Sequence, residues 1–197
     1  LILDKRFFGG YQSFDKIILI SPTGEQDDIQ KSLGLKESCI FTDLEEATGA
    51  LKAIEEFQES AIKEKGSAGA HKICIILDDC VGDTKFMASK EFTNLFIKSR
   101  HYNCTVMFLS QHYKRLPKIC RLQASYLVFF AISNTEAEVL ADEFSPPGMS
   151  KKGFLRLIDD ALAEPYAFLT INMKDSWATR FRRGLGMAIN LDEYKQT

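Results

Sequence analysis

Lys72-Ile73-Cys74-Ile75-Ile76-Leu77-Asp78-Asp79 sets an unbroken apolar run against two adjacent carboxylates. Such a run, rich in β-branched side chains, reads as a strand buried on both faces, because half-exposed strands alternate apolar and polar residues. In open α/β sheets ligands bind beyond the carboxyl ends of the strands. A pair of acids at that end suits a hydrated Mg²⁺ beside a nucleotide phosphate, since Mg²⁺ takes one or two carboxylates and completes its shell with water and phosphate oxygens. The stretch has the form of a Walker B element, Asp78 holding the metal through water and Asp79 polarising the attacking water. Asp also favours strand-to-loop turns, so a plain turn is the competing reading. The usual companion, the phosphate-gripping loop G-x-x-x-x-G-K-[ST], does not occur in the 197 residues: none of the twelve glycines is followed by lysine.

Upstream, Lys16 to Ser21 (KIILIS) is a second strand, closed by the turn residues Pro22, Thr23 and Gly24. Thr42 and Glu45 form a capping-box pattern. Leu44, Ala47, Leu51, Ile54, Phe57 and Ala61 then lay an apolar stripe along a long helix whose other face, rich in Glu, is solvated. Gly66 to Ala70 is a small-residue linker into the acid-tipped strand. Downstream come a loop over 81–85, a helix over 89–100, and strands over 105–110 and 126–131. A helix capped by Asn134 and stopped by Pro146-Pro147-Gly148, a short helix over 153–162 and a last strand over 166–172 complete the order. Alternating strands and helices predict the α/β class with parallel strands joined by right-handed crossovers. The opening Leu1 to Phe8 has the look of the last turns of a helix, with the reading frame expected to extend upstream.

The chain is long enough for one domain with a sizeable core, at an ordinary 45% apolar residues. Its net charge of -2 gives no global pull toward a polyanion, so any nucleic-acid contact must come from local patches. The longest apolar runs fall far short of the roughly 20 residues of a membrane helix. Five scattered cysteines, an odd number with Cys74 inside the core strand, point to buried thiols in a reducing, intracellular compartment.

Further candidates lie downstream. Gln111 ends the strand over 105–110; if that strand lies beside the acid-tipped one, its amide can meet a γ-phosphate or hold a water, whereas taken alone it is an ordinary turn residue. Arg100 and His101 end the preceding helix. The helix dipole accounts for a cation there, and an arginine finger reaching a neighbouring subunit's nucleotide is the sharper reading of Arg100. Arg115, Lys118 and Arg121 around Pro117, and Arg180, Arg182 and Arg183, form two basic clusters, each either solvated surface or a contact to a phosphate backbone. His71, His101 and His112 have no ligand spacing.

The ordered series Lys16 to Thr23, Ile73 to Asp79, Ser99-Arg100-His101, Met107 to Gln111, Leu116-Pro117 and Arg121 resembles the poxvirus-type genome packaging ATPases of the FtsK/HerA superfamily. The likeness spans roughly residues 1 to 185. It implies a RecA-like P-loop core with a mainly parallel sheet and flanking helices, one partial domain over 1–197, and an ATP- and Mg²⁺-dependent motor. In the family such motors form rings that translocate double-stranded DNA into a capsid, with capsid proteins as further partners and a cytoplasmic viral factory or the virion as location. By the same resemblance Asp78 is the metal-coordinating acid, Asp79 the catalytic acid, Gln111 the strand-end sensor and Arg100 the trans-acting finger, with Arg121 a second candidate for that task.

The amino-terminal strand and Walker A loop of the family are missing here. That strand would stand between those over 105–110 and 126–131, leaving two apolar strand edges that invite association. A degenerate, non-catalytic DNA- or subunit-binding module from an integrated viral element, and another DNA-translocating ATPase of the same superfamily, are the alternatives this departure keeps open.

Overall fold

The computed structural model describes residues 13–23 and 34–195. The expected helix end at Leu1 to Phe8 and the turn residue Gly24 lie outside them. The chain divides into two compact units, 1–123 and 124–197.

The first unit is built on a four-stranded, wholly parallel sheet in the order β2-β1-β3-β4, with β1 Lys16–Ile20, β2 Ile40–Phe41, β3 Ile73–Asp78 and β4 Cys104–Leu109. Ile18, Ile75 and Val106 lie in register on one face, and Leu19, Ile76 and Met107 on the other. β3 is buried along both faces until Asp78, as its unbroken apolar run requires. β4 is only half-buried; among the described residues it pairs with β3 alone and ends the sheet.

Helices α1 (Leu44–Lys65), α2 (Thr84–Met87) and α3 (Lys90–Lys98) contribute to the core that covers the Ile18/Ile75 face, where Leu51, Phe86 and Phe92 pack against Ile73, Ile75 and Leu77. The expected loop over 81–85 folds instead into a 3-10 turn, Cys80–Gly82, and the start of α2, which Asp83 caps by accepting from the Phe86 amide at 2.8 Å. The cap of α1 is Asp43 rather than Thr42. The Asp43 carboxylate accepts from the amides of both Glu45 (2.7 Å) and Glu46 (2.9 Å), which one hydroxyl oxygen could match only less strongly at a positive helix end.

Two devices lock α1 to its neighbours. The fully buried Gln58 donates to the carbonyls of His71 (2.7 Å) and Tyr102 (2.6 Å), tying the helix to the chain entering β3 and β4. Glu55 accepts from Lys98 (3.0 Å), Asn94 (3.2 Å) and Tyr102 (3.2 Å). Burial pushes the Glu55 carboxyl up, but the hydrogen bonds from Lys98 and Asn94, with the Lys98 charge, outweigh it and hold it below its ordinary value. A carboxyl depressed by folding adds stability above its unfolded pKa and loses it as pH falls through the lower folded value. Glu55→Gln should therefore lower the thermal midpoint at neutral pH and have little effect in strong acid, as paired melting curves at the two pH values would show; an equal loss at both would refute the ion-pair account.

The second unit differs from the expected parallel arrangement. Its sheet, β5-β6-β7-β8, is antiparallel throughout, with β5 Tyr126–Phe129, β6 Leu169–Asn172, β7 Phe181–Arg183 and β8 Met187–Ala188. The reason lies in the connection. Two helices, Asn134–Phe144 and Lys151–Ala161, separate β5 from β6. A single helix returns the chain for a parallel strand, whereas a helical hairpin reverses it once more. The first of these helices is capped by Ser133, in a reciprocal box with Glu136, and not by Asn134. The second starts at Ser150, and its Gly153 lies so near the Tyr194 carbonyl that a Cβ there would sit 2.3 Å from the oxygen. β6 begins three residues later than expected, since Tyr166 is exposed and left-handed at φ 62°.

Candidate functional site

Register decides which candidate residues meet. Asp78 is the last residue of β3 and stands opposite Leu109, the last of β4. Asp79 extends the ladder by one bond, its amide donating to the Leu109 carbonyl at 3.2 Å. Gln111, two residues beyond Leu109 and exposed, therefore emerges at the same carboxyl end of the sheet as the two acids. On the other side of β3, the buried Ser21 at the end of β1 donates from its hydroxyl to Asp78 Oδ2 at 3.4 Å, and Thr23 Oγ1 lies 3.4 Å from the same hydroxyl.

Ser21 was not among the candidates read from the sequence. The signal was there: two neighbouring parallel strands, KIILIS and ICIILD, each end an apolar run in an oxygen-bearing side chain.

Asp79 has a left-handed backbone, φ 50° and ψ 33°, at the point where the chain turns out of β3. For most side chains that conformation costs roughly 1–2 kcal/mol, and Asp is among the few that tolerate it. Below the acids lies the buried Cys80, whose Sγ is 3.5 Å from the Ile20 carbonyl and 3.4 Å from that of Asp78. Burial and then the Asp78 charge push this thiol up to about 12. Burial likewise lifts Cys74 to about 12 and Cys104 and Cys120 to about 11. These thiols are protonated at neutral pH and are poor nucleophiles and ligands. All five cysteines are unpaired.

Among the described residues no group of three or more His, Cys, Asp or Glu side chains is placed to hold a metal ion. A closed protein cage is thus not formed by them. One carboxylate, oriented by a serine hydroxyl at the open end of a sheet, is the donor set that fits a Mg²⁺ retaining most of its water; Asp78, with Ser21 beside it, would hold it.

Arg100 is elsewhere. It sits in the 3-10 turn Ser99–Tyr102 that follows α3, just before β4, whose first residue pairs with Ile73 at the start of β3. Five residue steps along β3, about 16 Å at roughly 3.3 Å each, separate that end from Asp78. The fold brings Asp78, Asp79 and Gln111 together and leaves Arg100 at the opposite end of its own sheet.

Arg121, in α4 (Lys118–Gln123), is buried. Its Nη1 donates to the carbonyls of Leu116 (2.6 Å) and Lys114 (3.2 Å), and its guanidinium lies 5.0 Å from the Tyr113 ring centroid. It braces the loop after β4. In the second unit the cluster at 180–183 is largely occupied internally: Arg182 pairs with Asp175 at 2.7 Å, and Arg180 donates to the Asp175 carbonyl while lying 3.9 Å from the centroid of Trp177.

The profile of the family described as Poxvirus A32 protein matches residues 41–172. No curated protein sequence matches the chain. Among solved structures, the chain is similar to B204, the DNA-packaging ATPase from Sulfolobus Turreted Icosahedral Virus, at 12% identity and a TM-score of 0.54, over 83% of this chain and 80% of that one. It is also similar to the genome packaging NTPase B204 from Sulfolobus turreted icosahedral virus 2. The complex of that protein with AMPPCP matches at 12% identity and 0.52 over 83% and 80% of the two chains, and the complex with AMP at 12% and 0.52 over 88% and 83%. At such identities the likeness is one of fold, the α/β core expected from the sequence.

Proposed function

Since this chain belongs to the poxvirus A32 protein family, we propose that it is the ATP-hydrolysing part of a motor that drives double-stranded viral DNA into a capsid. The observation that carries this reading is the Asp78-Asp79 pair at the carboxyl end of the central strand β3, with Gln111 emerging at the same end. The packaging activity and nucleotide complexes ascribed to the B204 proteins support DNA as the polymer and ATP as the fuel.

Bound Mg²⁺ would neutralise phosphate charge at Asp78. Asp79 accepts a proton from the attacking water. Gln111, neutral and able both to donate and to accept, orients that water or the γ-phosphate. Arg100, about 16 Å along the strand from its own acids, serves a neighbouring protomer's nucleotide, as assembly into a ring would allow. The family match runs across the boundary between the two units, which supports one RecA-like domain. Capsid proteins are further partners, and the buried, unpaired thiols fit a reducing intracellular compartment.

One observation favours a second reading, a DNA- or subunit-binding module without turnover: no G-x-x-x-x-G-K-[ST] loop occurs in the chain. Phosphate release by the protein as encoded in full, with ATP-Mg²⁺ and with or without linear duplex DNA, separates the two. The motor reading expects hydrolysis that rises on adding duplex; no hydrolysis in either condition, from folded protein, would leave only the binding module.

A further inference from the structure

The acidic residues of this chain are unevenly placed. All 27 lie outside residues 92–135, a stretch that carries Lys98, Arg100, Lys114, Arg115, Lys118 and Arg121. Three of these cations, Lys114 and Arg115 in the loop after β4 and Lys118 at the start of α4, fall within five residues and are exposed. Among the described residues no ion pair engages any of them. The loop is held in shape from beneath: Arg121 is buried, grips the Lys114 and Leu116 carbonyls and lies against the Tyr113 ring, while the Arg115 and Leu116 amides close turns onto His112 and Tyr113. The Arg180–Arg183 segment lacks this character, because Asp175 already engages two of its arginines.

In a chain of net charge -2, exposed cations with no ion pair among the described residues, gathered beside one braced loop, are the kind of local patch that a polyanion contact requires. We propose that Lys114, Arg115 and Lys118 form the surface that contacts the phosphate backbone of double-stranded DNA, with Arg121 as the buried residue that positions it. Rigid placement matters here, since ordering three long side chains on a mobile loop would cost much of what their phosphate contacts return. The first of these cations, Lys114, follows Gln111 by three residues, so a backbone contact is mechanically close to the residue that faces the nucleotide end of the sheet. This assignment rests on the motor reading for the identity of the polyanion.

The test is fluorescence anisotropy of the full-length protein with a random-sequence labelled duplex across a salt series. The triple variant Lys114→Gln, Arg115→Gln, Lys118→Gln is compared with a charge-matched control, Lys52→Gln, Lys63→Gln, Lys65→Gln, on the exposed face of α1. Each phosphate contact contributes about 0.9 to the slope of log K against log salt. The loop variant should therefore lose about ten-fold or more in affinity at moderate salt and flatten the slope by roughly two to three, while the control stays within about two-fold. Equal affinity of loop variant and wild type, or an equal loss in the control, would overturn the assignment. So would displacement of the duplex by ATP, which would give the loop to the nucleotide, or binding of phosphatidylserine vesicles in preference to DNA. Asp79→Asn keeps the two proposals apart: it should bind duplex like wild type whether or not hydrolysis is lost, so a failed active-site reading and a failed loop reading leave different signatures.

Discussion

Asp79→Asn in the full-length protein should lower DNA-stimulated ATP hydrolysis by about 10²- to 10⁴-fold, the usual worth of a positioned general base, while leaving nucleotide affinity close to wild type. Asp79 is one residue beyond the end of β3, held there by the hydrogen bond its amide donates to the Leu109 carbonyl, at the carboxyl end of the sheet where the proposed nucleotide site lies. Asn keeps the size and hydrogen-bonding reach of Asp but cannot take a proton. Asn also tolerates the left-handed backbone, so the variant should fold as wild type does. In the proposed site Asp78 would hold the metal, and its replacement by Asn should instead weaken the Mg²⁺ dependence. Steady-state hydrolysis with saturating duplex measures the first effect, and equilibrium binding of a labelled ATP analogue measures the second. Undiminished turnover in Asp79→Asn would remove the residue from the chemistry.

Phe92→Ala should destabilise the first unit by about 3–5 kcal/mol, a large share of the 5–15 kcal/mol that holds a typical domain together. Phe92 is fully buried, and its ring lies 5.1 Å from Phe96, 5.3 Å from Phe86 and 6.0 Å from Phe108, centroid to centroid. It thus joins α2, α3 and β4 through one side chain. Because Phe108 precedes Leu109, the carbonyl that receives the Asp79 amide, loosening this cluster should also blur the acid end of the sheet. Ile97→Ala, on the same helix but 43% exposed, should change stability by only about 0.5 kcal/mol. Denaturant midpoints of the two variants decide the matter; similar shifts would mean that the ring cluster does not govern this core.

The sequence disclosed what continuous or periodic apolar patterns encode. Strands β1, β3 and β4, helix α1 and the acid pair all follow from such patterns, and the parallel order of the first sheet follows from the alternation of its strands with helical connections. What was hidden depended on partners remote in sequence. Ser21 becomes a neighbour of Asp78 only through strand register. Arg121 looks like a surface cation until the loop it braces closes over it. Asp43 and Ser133 displaced the expected caps by one position, a choice that rests on backbone angles rather than residue type. The antiparallel second sheet was a matter of counting: two helices, not one, separate β5 from β6. The position of Arg100 could have been deduced likewise, since a helix leaving the carboxyl end of β3 must return the chain to the other end before β4 begins.

The backbone twist at residue 79 acts as a filter on sequence drift. Left-handed geometry there admits glycine, asparagine and aspartate at little cost and penalises most others. Of the three, aspartate alone carries a carboxylate. A glutamate, with its longer reach, would meet a conformational toll that aspartate largely escapes. If the proposed chemistry is under selection, main-chain shape and proton transfer leave a single letter of the alphabet for this position.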